Sequence, residues 1–209
     1  MPLEMIRTDG FFRLDGGEWA VTNNVWLVGD DQEALVIDAA HDHLPIMDAL
    51  EGRKVTAILL THGHNDHINS AVALRDLVDA PILLHPDDRM LWDMVYADAE
   101  PDRYLRSGTT IGAGGHQLGV LHTPGHSPGS CCFRDLESGT VFSGDTLFKG
   151  GPGATGRSFS DKPALLRSIR RLLLTLPNET VVHTGHGDST TIGAEREVIV
   201  EQIAELGIN

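Results

Sequence analysis

The chain has 209 residues, of which 41% are hydrophobic and 22% are charged, a composition typical of globular proteins and sufficient for one well-filled domain, which we predict over residues 1–209. Its 30 acidic and 16 basic residues give a formal net charge of −14, which disfavours nucleic acid and anionic membranes as partners and favours a small-molecule substrate. No apolar stretch approaches the roughly 18 residues that span a bilayer, and the N-terminus lacks a signal-peptide pattern, so we expect a cytoplasmic protein.

Short apolar runs rich in β-forming residues alternate with helical patterns along the chain. The runs predict eight strands, at 23–28, 34–39, 55–60, 81–85, 118–122, 130–133, 140–144 and 180–184. Helices are predicted at about 68–79, where Ala71, Leu74 and Leu77 share a face, at about 86–96, and at 161–175 and 192–206. The segments at about 97–116 and 149–157 are predicted to be loops.

The predicted helix at 161–175 has the clearest boundaries. Ser160 or Asp161 can cap its N-terminus, and Pro163 suits its first turn. Its apolar stripe consists of Leu165, Leu166, Ile169, Leu172 and Leu173. Gly207 is expected to end the last helix.

The only two cysteines, Cys131 and Cys132, are adjacent inside a predicted strand. Neighbouring cysteines cannot join distant segments by a disulfide, and their spacing does not match a redox motif. We therefore expect buried free thiols in a reducing compartment.

The segment "ILLTHGHNDH" at 58–67 concentrates polar side chains behind a predicted buried strand. His62 and His64 are two residues apart, so in an extended loop they project to the same side and can share one metal ion. Asp66 and His67 are displaced from that pair, which suits a second, neighbouring ion. A solvated polar loop is the alternative, but three histidines and one aspartate packed there favour metal binding.

Two ions need more than four ligands, and the ends of three later strands supply further candidates. His126 lies in "HTPGHS", Asp145 in "FSGDTLF" and His186 in "TGHGDS". Each residue follows a glycine, which allows the close approach of the backbone and unusual turn geometry. Functional groups gather at strand ends because loops there vary without disturbing the core.

The motifs "HGHNDH", "HTPGHS", "FSGDTLF" and "TGHGDSTT", in this order, resemble the metallo-β-lactamase superfamily and, within it, the glyoxalase II-type hydrolases. The resemblance extends from about residue 23 to about residue 195 and implies an αββα sandwich of α/β class with two metal ions at one edge. It further implies that one ion is bound by His62, His64 and His126, and the other by Asp66, His67 and His186. Asp145 is expected to bridge them, and Asp38 to support the ligands without binding metal.

A water molecule that bridges two such ions loses a proton near neutral pH and becomes a nucleophile for an acyl carbonyl. Nitrogen and oxygen ligands without a thiolate suit zinc, and they also accept iron or manganese. The resemblance thus implies a dinuclear metallo-hydrolase in which Asp66 and Asp145 are the catalytic carboxylates.

A thioester of a low-molecular-weight thiol is the favoured substrate, because the motifs are most similar to those of glyoxalase II. A lactonase or a persulfide dioxygenase on the same fold stays open, as does a metal-binding scaffold without turnover. The presence of Asp145 argues against a β-lactamase, since true β-lactamases of the superfamily lack the bridging aspartate. Only 23 residues follow His186, too few for the helical domain with which glyoxalase II binds glutathione, so a mycothiol conjugate is a further option.

The loop "GPGATGRS" at 151–158 is close to a phosphate-binding P-loop but does not lead directly from a strand into a helix, so we predict no nucleotide site there. We expect it near the metals, where Lys149 or Arg157 can meet an anionic part of the substrate. His41 and His43 are assigned to a helix start. No functional role is assigned to His85, His116, His122 or His183, and the oligomeric state stays open.

Overall fold

The computed structural model describes residues 3–208 and contains two six-stranded sheets that pack face to face. The first sheet consists, in spatial order, of β1 (Leu3–Leu14), β2 (Gly17–Gly29), β3 (Glu33–Ile37), β4 (Lys54–Leu59), β5 (Ile82–Leu84) and β6 (Arg103–Tyr104). The strands from β3 to β6 run parallel to one another. Loops that leave their C-terminal ends therefore meet at one edge of the sheet.

The second sheet is formed by β7 (Thr110–Ala113), β8 (His116–His122), β9 (Cys131–Asp135), β10 (Val141–Gly144), β13 (Val181–Thr184) and β14 (Thr190–Thr191). Its spatial order is β14-β13-β10-β9-β8-β7, and β10 and β13 are parallel. A separate two-stranded ribbon pairs β11 (Leu147–Phe148) with β12 (Gly151–Pro152).

The helices lie on the two outer faces of this sandwich. The helices that pack on the first sheet are α1 (Leu44–Leu50), α2 (Asn65–Ile68), α3 (Ala71–Val78) and α4 (Arg89–Asp93). The second sheet is covered by α5 (Lys162–Ser168), a π-helical turn (Ile169–Leu173) and α6 (Ile192–Glu205). The predicted αββα architecture is confirmed. None of the helices within residues 3–208 has the length and hydropathy that crossing a bilayer requires.

Three apolar cores follow from the alternation of side chains along the strands. Val25 and Leu27 face the helices of the first sheet, while Trp26 and Val28 face the second sheet. Because successive strand residues point to opposite faces, a strand buried on both sides is apolar throughout, as β2 is in its second half. Burial of each large side chain contributes about 1.5 to 3 kcal/mol. Trp26, Trp92 and Phe133 are among the buried aromatic side chains of these cores.

The sequence analysis predicted only the second half of β2, as the strand at 23–28, and missed the rest of the N-terminal hairpin of β1 and β2. Its strands pair residue by residue from Leu3–Val28 to Leu14–Gly17. Asp15 and Gly16 both have positive φ, at 53° and 74°, which is the geometry of the tight turn that an Asp-Gly pair favours. The predicted loop at 97–116 was likewise incomplete, because it contains β6 and β7.

Helix boundaries also differ from the predictions. The predicted helix at about 68–79 corresponds to α3, whereas the short helix α2 before it was not predicted. Leu77 is 57% exposed and does not share the buried face of Ala71 and Leu74. The segment predicted at 86–96 begins as a 3₁₀ turn over Pro86–Asp88, followed by α4. Asp161 caps α5 by accepting a hydrogen bond from the Ala164 amide, as predicted. The remainder of that segment continues as the π-helical turn, and Leu172 is only partly buried.

Candidate metal centre

The structure brings together all seven side chains that the sequence predicts as metal ligands. The loop and helix α2 that follow β4 carry four of them, the turn between β8 and β9 carries one, and the ends of β10 and β13 carry one each: His62, His64, Asp66 and His67, then His126, Asp145 and His186. The centre therefore lies where strand ends of both sheets meet.

Three imidazoles converge through one nitrogen each. The Nδ1 atom of His64 lies 3.0 Å from Nε2 of His62 and 3.0 Å from Nε2 of His126. Ligand atoms around a tetrahedral zinc ion are about 3.3 Å apart. The three nitrogens are thus spaced for one ion.

A second group lies beside the first. Nε2 of His67 and Nε2 of His186 are 3.2 Å apart, and Oδ2 of Asp66 lies 3.3 Å from Nε2 of His186. The carboxylate of Asp145 stands between the groups, with Oδ1 3.4 Å from His67 Nε2 and Oδ2 3.5 Å from both His126 and His186. One carboxylate oxygen of Asp145 therefore faces the second group, and the other lies between the two groups.

Hydrogen bonds from Nδ1 of His126 and from Nδ1 of His186 determine which ring nitrogen faces the centre. Nδ1 of His126 donates to the carbonyl of Ala154, and Nδ1 of His186 donates to the carbonyl of Thr22, both at 2.8 Å. Because these oxygens only accept, each Nδ1 carries a hydrogen. Nε2 is then the atom left to bind a proton or a metal ion.

His62 and His67 are oriented through Asp38. The Thr61 hydroxyl donates to Asp38 Oδ2 at 2.7 Å and lies 3.0 Å from Nδ1 of His62, from which it accepts. Nδ1 of His67 donates to the same Asp38 oxygen at 2.9 Å. Asp38, 1% exposed, thus contacts the His67 ring directly and the His62 ring through Thr61.

Nitrogen lone pairs that face each other at 3.0 Å repel unless a cation lies among them. Two buried carboxylate oxygens, Asp66 Oδ1 and Asp145 Oδ1, also have no hydrogen-bond partner within residues 3–208. Unsatisfied buried acceptors are costly, and a bound ion satisfies them. The donor set therefore fits two neighbouring divalent cations.

The electrostatics differ between the two groups of the centre. Burial acts to lower the pKa of His67 and of His186, but the carboxylates of Asp145 and Asp66 outweigh it and raise both, so a cation bound there takes the place of a proton. The first group agrees with the fit directly. Burial, reinforced by the neighbouring imidazoles, holds the pKa of His62 well below its usual value and lowers the pKa of His64 to about 3. Burial acts to raise the pKa of Asp145, but His186 and His67 outweigh it and hold this pKa well below its usual range. Neutral imidazoles and ionised carboxylates are the forms that bind metals.

The sequence analysis missed a relay of side chains behind Asp66. Nε2 of His41 donates to Asn23 Oδ1 at 2.8 Å, and Asn23 Nδ2 donates to Asp66 Oδ2 at 3.1 Å. The assignment of His41 to a helix start was wrong, since His43 is the residue that precedes α1. The only available signal was the polar pair at the start of "NNVWLV".

Asp88 is a second residue that the sequence analysis missed. Its buried carboxylate accepts from the amide of Gly63 at 2.8 Å, the amide of Gly129 at 2.5 Å and the hydroxyl of Ser127 at 2.6 Å. Gly63 lies between His62 and His64, and Ser127 follows His126. Asp88 therefore ties together the two loops that supply the first three imidazoles.

Gly185 shows how closely the backbone approaches the ligands. A Cβ atom at this position would lie 2.4 Å from Asp145 Oδ1 and 2.8 Å from His67 Cε1. Because a real side chain cannot fit there, the glycine before His186 allows β13 to pass directly beside the other ligands.

A cavity of about 430 Å³ opens from the centre to the surface. Phe12, Trp19 and Phe148 form apolar walls, and Arg157 lies at the rim with its guanidinium carbon 3.7 Å from the centre of the Trp19 ring. No hydrogen bond or ion pair of this guanidinium occurs within the described part of the chain. Lys149 is not brought to the cavity, because its amine pairs with Asp188 at 3.0 Å.

The predicted absence of a P-loop agrees with the local structure. The ribbon β11-β12 stands between β10 and the segment 153–158, and α5 begins only at Lys162. The segment thus lacks the direct passage from strand to helix that a phosphate-binding loop needs.

Comparison with known proteins shows a matching family, a similar protein and two similar solved structures. The sequence of residues 19–186 matches the family model described as "Metallo-beta-lactamase superfamily". The Haemophilus influenzae protein "Hydroxyacylglutathione hydrolase GloC" is 32% identical over an alignment of 193 positions, which covers 85% of this chain and 91% of that protein.

Two solved structures are also similar. "TTHA1623 in a di-iron-bound form" is 36% identical with a TM-score of 0.76, covering 84% of this chain and 93% of that one. "BLEG-1 B3 metallo-beta-lactamase" is 33% identical with a TM-score of 0.77, covering 91% and 97%.

Proposed function

The chain belongs to the metallo-β-lactamase superfamily of metallo-hydrolases, and we propose that its centre hydrolyses an acyl thioester of a low-molecular-weight thiol. The observation that carries the proposal is the convergence of five inward-facing imidazole nitrogens and two carboxylates at the floor of an open cavity. Structural zinc sites are closed, whereas catalytic sites keep an open position.

His62, His64 and His126 would hold one ion, Asp66, His67 and His186 the other, and Asp145 would contact both. Zinc is our proposed metal, with iron or manganese as alternatives, since the donors are nitrogen and oxygen only. When bound, such a pair lowers the pKa of coordinated water and polarises a carbonyl group. The di-iron form of the similar structure supports a pair of ions.

The protein's own carboxylates have separate tasks in this proposal. Oδ1 of Asp66 is buried, lacks a hydrogen-bond partner and belongs to a residue that lines the cavity. Burial acts to raise the pKa of Asp66, but His67 and His186 outweigh it and lower this pKa to about 2, so the carboxylate stays ionised and would orient the attacking water by accepting a hydrogen bond from it. Asp145 holds the two halves of the centre in register, because its oxygens lie between the imidazoles of both groups.

The cavity walls support the choice of substrate. Phe12, Trp19 and Phe148 offer apolar surface to an acyl group or a thiol carrier. Arg157, stacked on Trp19 and without an ion-pair partner in the described residues, binds an anionic group of the carrier. Similarity to a protein named hydroxyacylglutathione hydrolase favours a carrier of that kind.

A screen of the metal-loaded protein against acyl thioesters of glutathione, mycothiol and coenzyme A, beside lactones, persulfides and β-lactams, tests this function. We expect thioesters to be hydrolysed with the highest kcat/KM. β-Lactams are included because the similar BLEG-1 structure is called a metallo-β-lactamase. Turnover of lactones, persulfides or β-lactams alone would overturn the proposed substrate class, and a folded, metal-loaded chain that turns over none of them would favour a scaffold.

A further inference from the structure

The relay behind Asp66 begins at a backbone amide, which determines the direction of the hydrogen bonds that follow. The amide of His41 donates to Oδ1 of Asn69 at 2.6 Å. Because a backbone amide only donates, the oxygen of Asn69 faces that amide, and its Nδ2 lies 3.1 Å from Nδ1 of His41. An amide NH₂ group also only donates, so Nδ1 of His41 is the acceptor and carries no hydrogen.

The hydrogen of the neutral His41 ring is therefore on Nε2. This nitrogen lies 2.8 Å from Oδ1 of Asn23 and donates to it. Nδ2 at the other end of the Asn23 amide is then the donor to Oδ2 of Asp66, at 3.1 Å. Burial lowers the pKa of His41, which favours the neutral ring that this arrangement needs. The relay thus delivers one hydrogen bond to one defined oxygen of Asp66.

The packing around His41 holds its ring in one place. A Cβ atom at Gly10 would lie 2.1 Å from Nδ1 of His41, so β1 passes directly over the ring at a position without a side chain. His41 also has a positive φ of 57°, a conformation that is uncommon for any residue except glycine. Such backbone strain persists where the surrounding structure enforces it, often next to functional groups. Asn23, the next member of the relay, is fully buried.

The oxygen that receives the hydrogen bond is the one that faces the second group of the centre. Oδ2 of Asp66 lies 3.3 Å from Nε2 of His186 and 3.5 Å from Nε2 of His67. Oδ1 of Asp66 has no hydrogen-bond partner within residues 3–208. A rotation of the carboxylate would exchange the two oxygens, and the hydrogen bond from Asn23 opposes this rotation.

We infer that His41, Asn23 and Asn69 are positioning residues that act on the reaction through Asp66. They hold Oδ2 toward the second ion and leave Oδ1 to orient the attacking water. The inference rests on the proposed function for its effect on turnover, but not for its effect on metal binding. Groups that orient a metal ligand change metal affinity by about 10 to 100-fold.

Titration of the metal-free chain with zinc, in competition with a chromophoric chelator, tests the relay. His41→Phe keeps an aromatic ring in the same space but removes the donor, whereas His41→Gln keeps a donor to Asn23. We expect His41→Phe to weaken the binding of one of two zinc ions about tenfold and to leave the other unchanged. His41→Gln should bind both ions nearly as tightly as the unmodified chain. The kcat for thioesters should fall in His41→Phe while KM stays unchanged.

His116→Phe is the matched control for His41→Phe. His116 donates from Nδ1 to the buried carboxylate of Asp135 at 2.8 Å, away from the centre, so we expect the affinity for both ions to stay unchanged. Equal zinc affinities in His41→Phe and the unmodified chain would overturn the inference, as would an equal loss in His116→Phe or the binding of only one ion by the unmodified chain. These outcomes are independent of thioester hydrolysis, which the substrate screen tests separately.

A second measurement on the metal-free, unmodified chain needs neither turnover nor a folded variant. Long-range ¹H–¹⁵N correlation spectra show which ring nitrogen of a histidine carries the hydrogen. We expect a neutral His41 ring with the hydrogen on Nε2. A hydrogen on Nδ1 would reverse the direction of the relay and overturn the inference.

Discussion

Replacing Asp88 by asparagine tests how the loops around the centre are held. The Asp88 carboxylate accepts hydrogen bonds from Gly63, Ser127 and Gly129. An asparagine keeps one oxygen and presents an NH₂ group to the remaining donor, so at least one buried amide loses its partner. Hydrogen bonds to charged groups contribute about 1.5 to 3 kcal/mol each.

Part of this loss is offset, because burying the charge of Asp88 is itself unfavourable. Burial raises the pKa of Asp88, although three groups donate to it, and the neutral amide avoids that penalty. We therefore expect the free energy of unfolding of the metal-free chain to fall by about 1 to 2 kcal/mol in Asp88→Asn. We also expect metal affinity to fall about 10 to 100-fold, the usual effect of removing a group that orients ligands.

Asp135→Asn is the matched control for Asp88→Asn. Asp135 is 2% exposed and accepts hydrogen bonds from His116, Ser138 and the Glu137 amide, at the end of β9 away from the centre. Competition with a chromophoric chelator measures metal affinity, and urea unfolding of the metal-free chain measures stability. If Asp88→Asn weakened metal binding no more than Asp135→Asn does, the tie between the two loops would not position the ligands, and our reasoning would be refuted.

Three further predictions concern other parts of the molecule. Removing the ions with a chelator should lower the melting temperature, because each ion at 1,000 times its Kd adds about 4 kcal/mol of stability; an unchanged melting temperature by differential scanning fluorimetry would argue against a loaded centre. Burial lowers the pKa of His183 to about 4, so the unfolded chain binds a proton at a higher pH than the folded chain does. The folded state therefore loses stability as the pH falls from about 6.5 to about 4. After allowance for solvent screening, we expect His183→Phe to remove about 2 kcal/mol of this loss, measured by urea unfolding at several pH values. Arg157→Ala should raise KM for glutathione and coenzyme A thioesters by about tenfold, since an ion pair or charged hydrogen bond contributes about 1 to 3 kcal/mol. The KM for neutral mycothiol thioesters should stay unchanged. Lys149→Ala is the control, and an equal rise of KM in both variants would contradict the role assigned to Arg157.

The ligand positions were predictable because each one is marked locally. A run such as "VTAILL" is apolar over its whole length only when both faces of the strand are buried. The polar residues His62 and His64, which follow this run closely, are therefore expected at the end of the strand. The later candidate ligands, His126, Asp145 and His186, also stand at strand ends and each follows a glycine.

The groups that orient the ligands were not predictable in this way, except for Asp38 through the family resemblance. Asn23 reaches Asp66 across 43 residues of sequence, and Asp88 reaches Gly129 across 41. Such contacts arise only when the two sheets have packed. The sequence alone does not distinguish a buried aspartate from a solvent-exposed one. His41 illustrates the consequence, because its polar neighbours suggested a helix start instead.

The hairpin of β1 and β2 shows a different limit of prediction. Residues of β1 and of the first half of β2 alternate between exposed and partly buried positions, so these segments lack a strong apolar pattern. The hairpin is held instead by contacts to α2, where Asn65 accepts from the Arg13 amide at 2.7 Å and donates to the Phe11 carbonyl at 2.8 Å. Asp15 and Gly16 carried the only local signal, that of a tight turn.

The most direct test of a dinuclear hydrolase is a titration of the metal-free protein with Zn²⁺, Fe²⁺ or Mn²⁺ while thioester hydrolysis is recorded. Asp145 carries the central claim, because its carboxylate lies between the two groups of imidazoles. We expect hydrolysis to appear as the ions bind and to be absent in Asp145→Ala, with the far-ultraviolet circular dichroism of the variant unchanged. Full hydrolysis by the metal-free protein, or by a folded Asp145→Ala variant, would contradict the account.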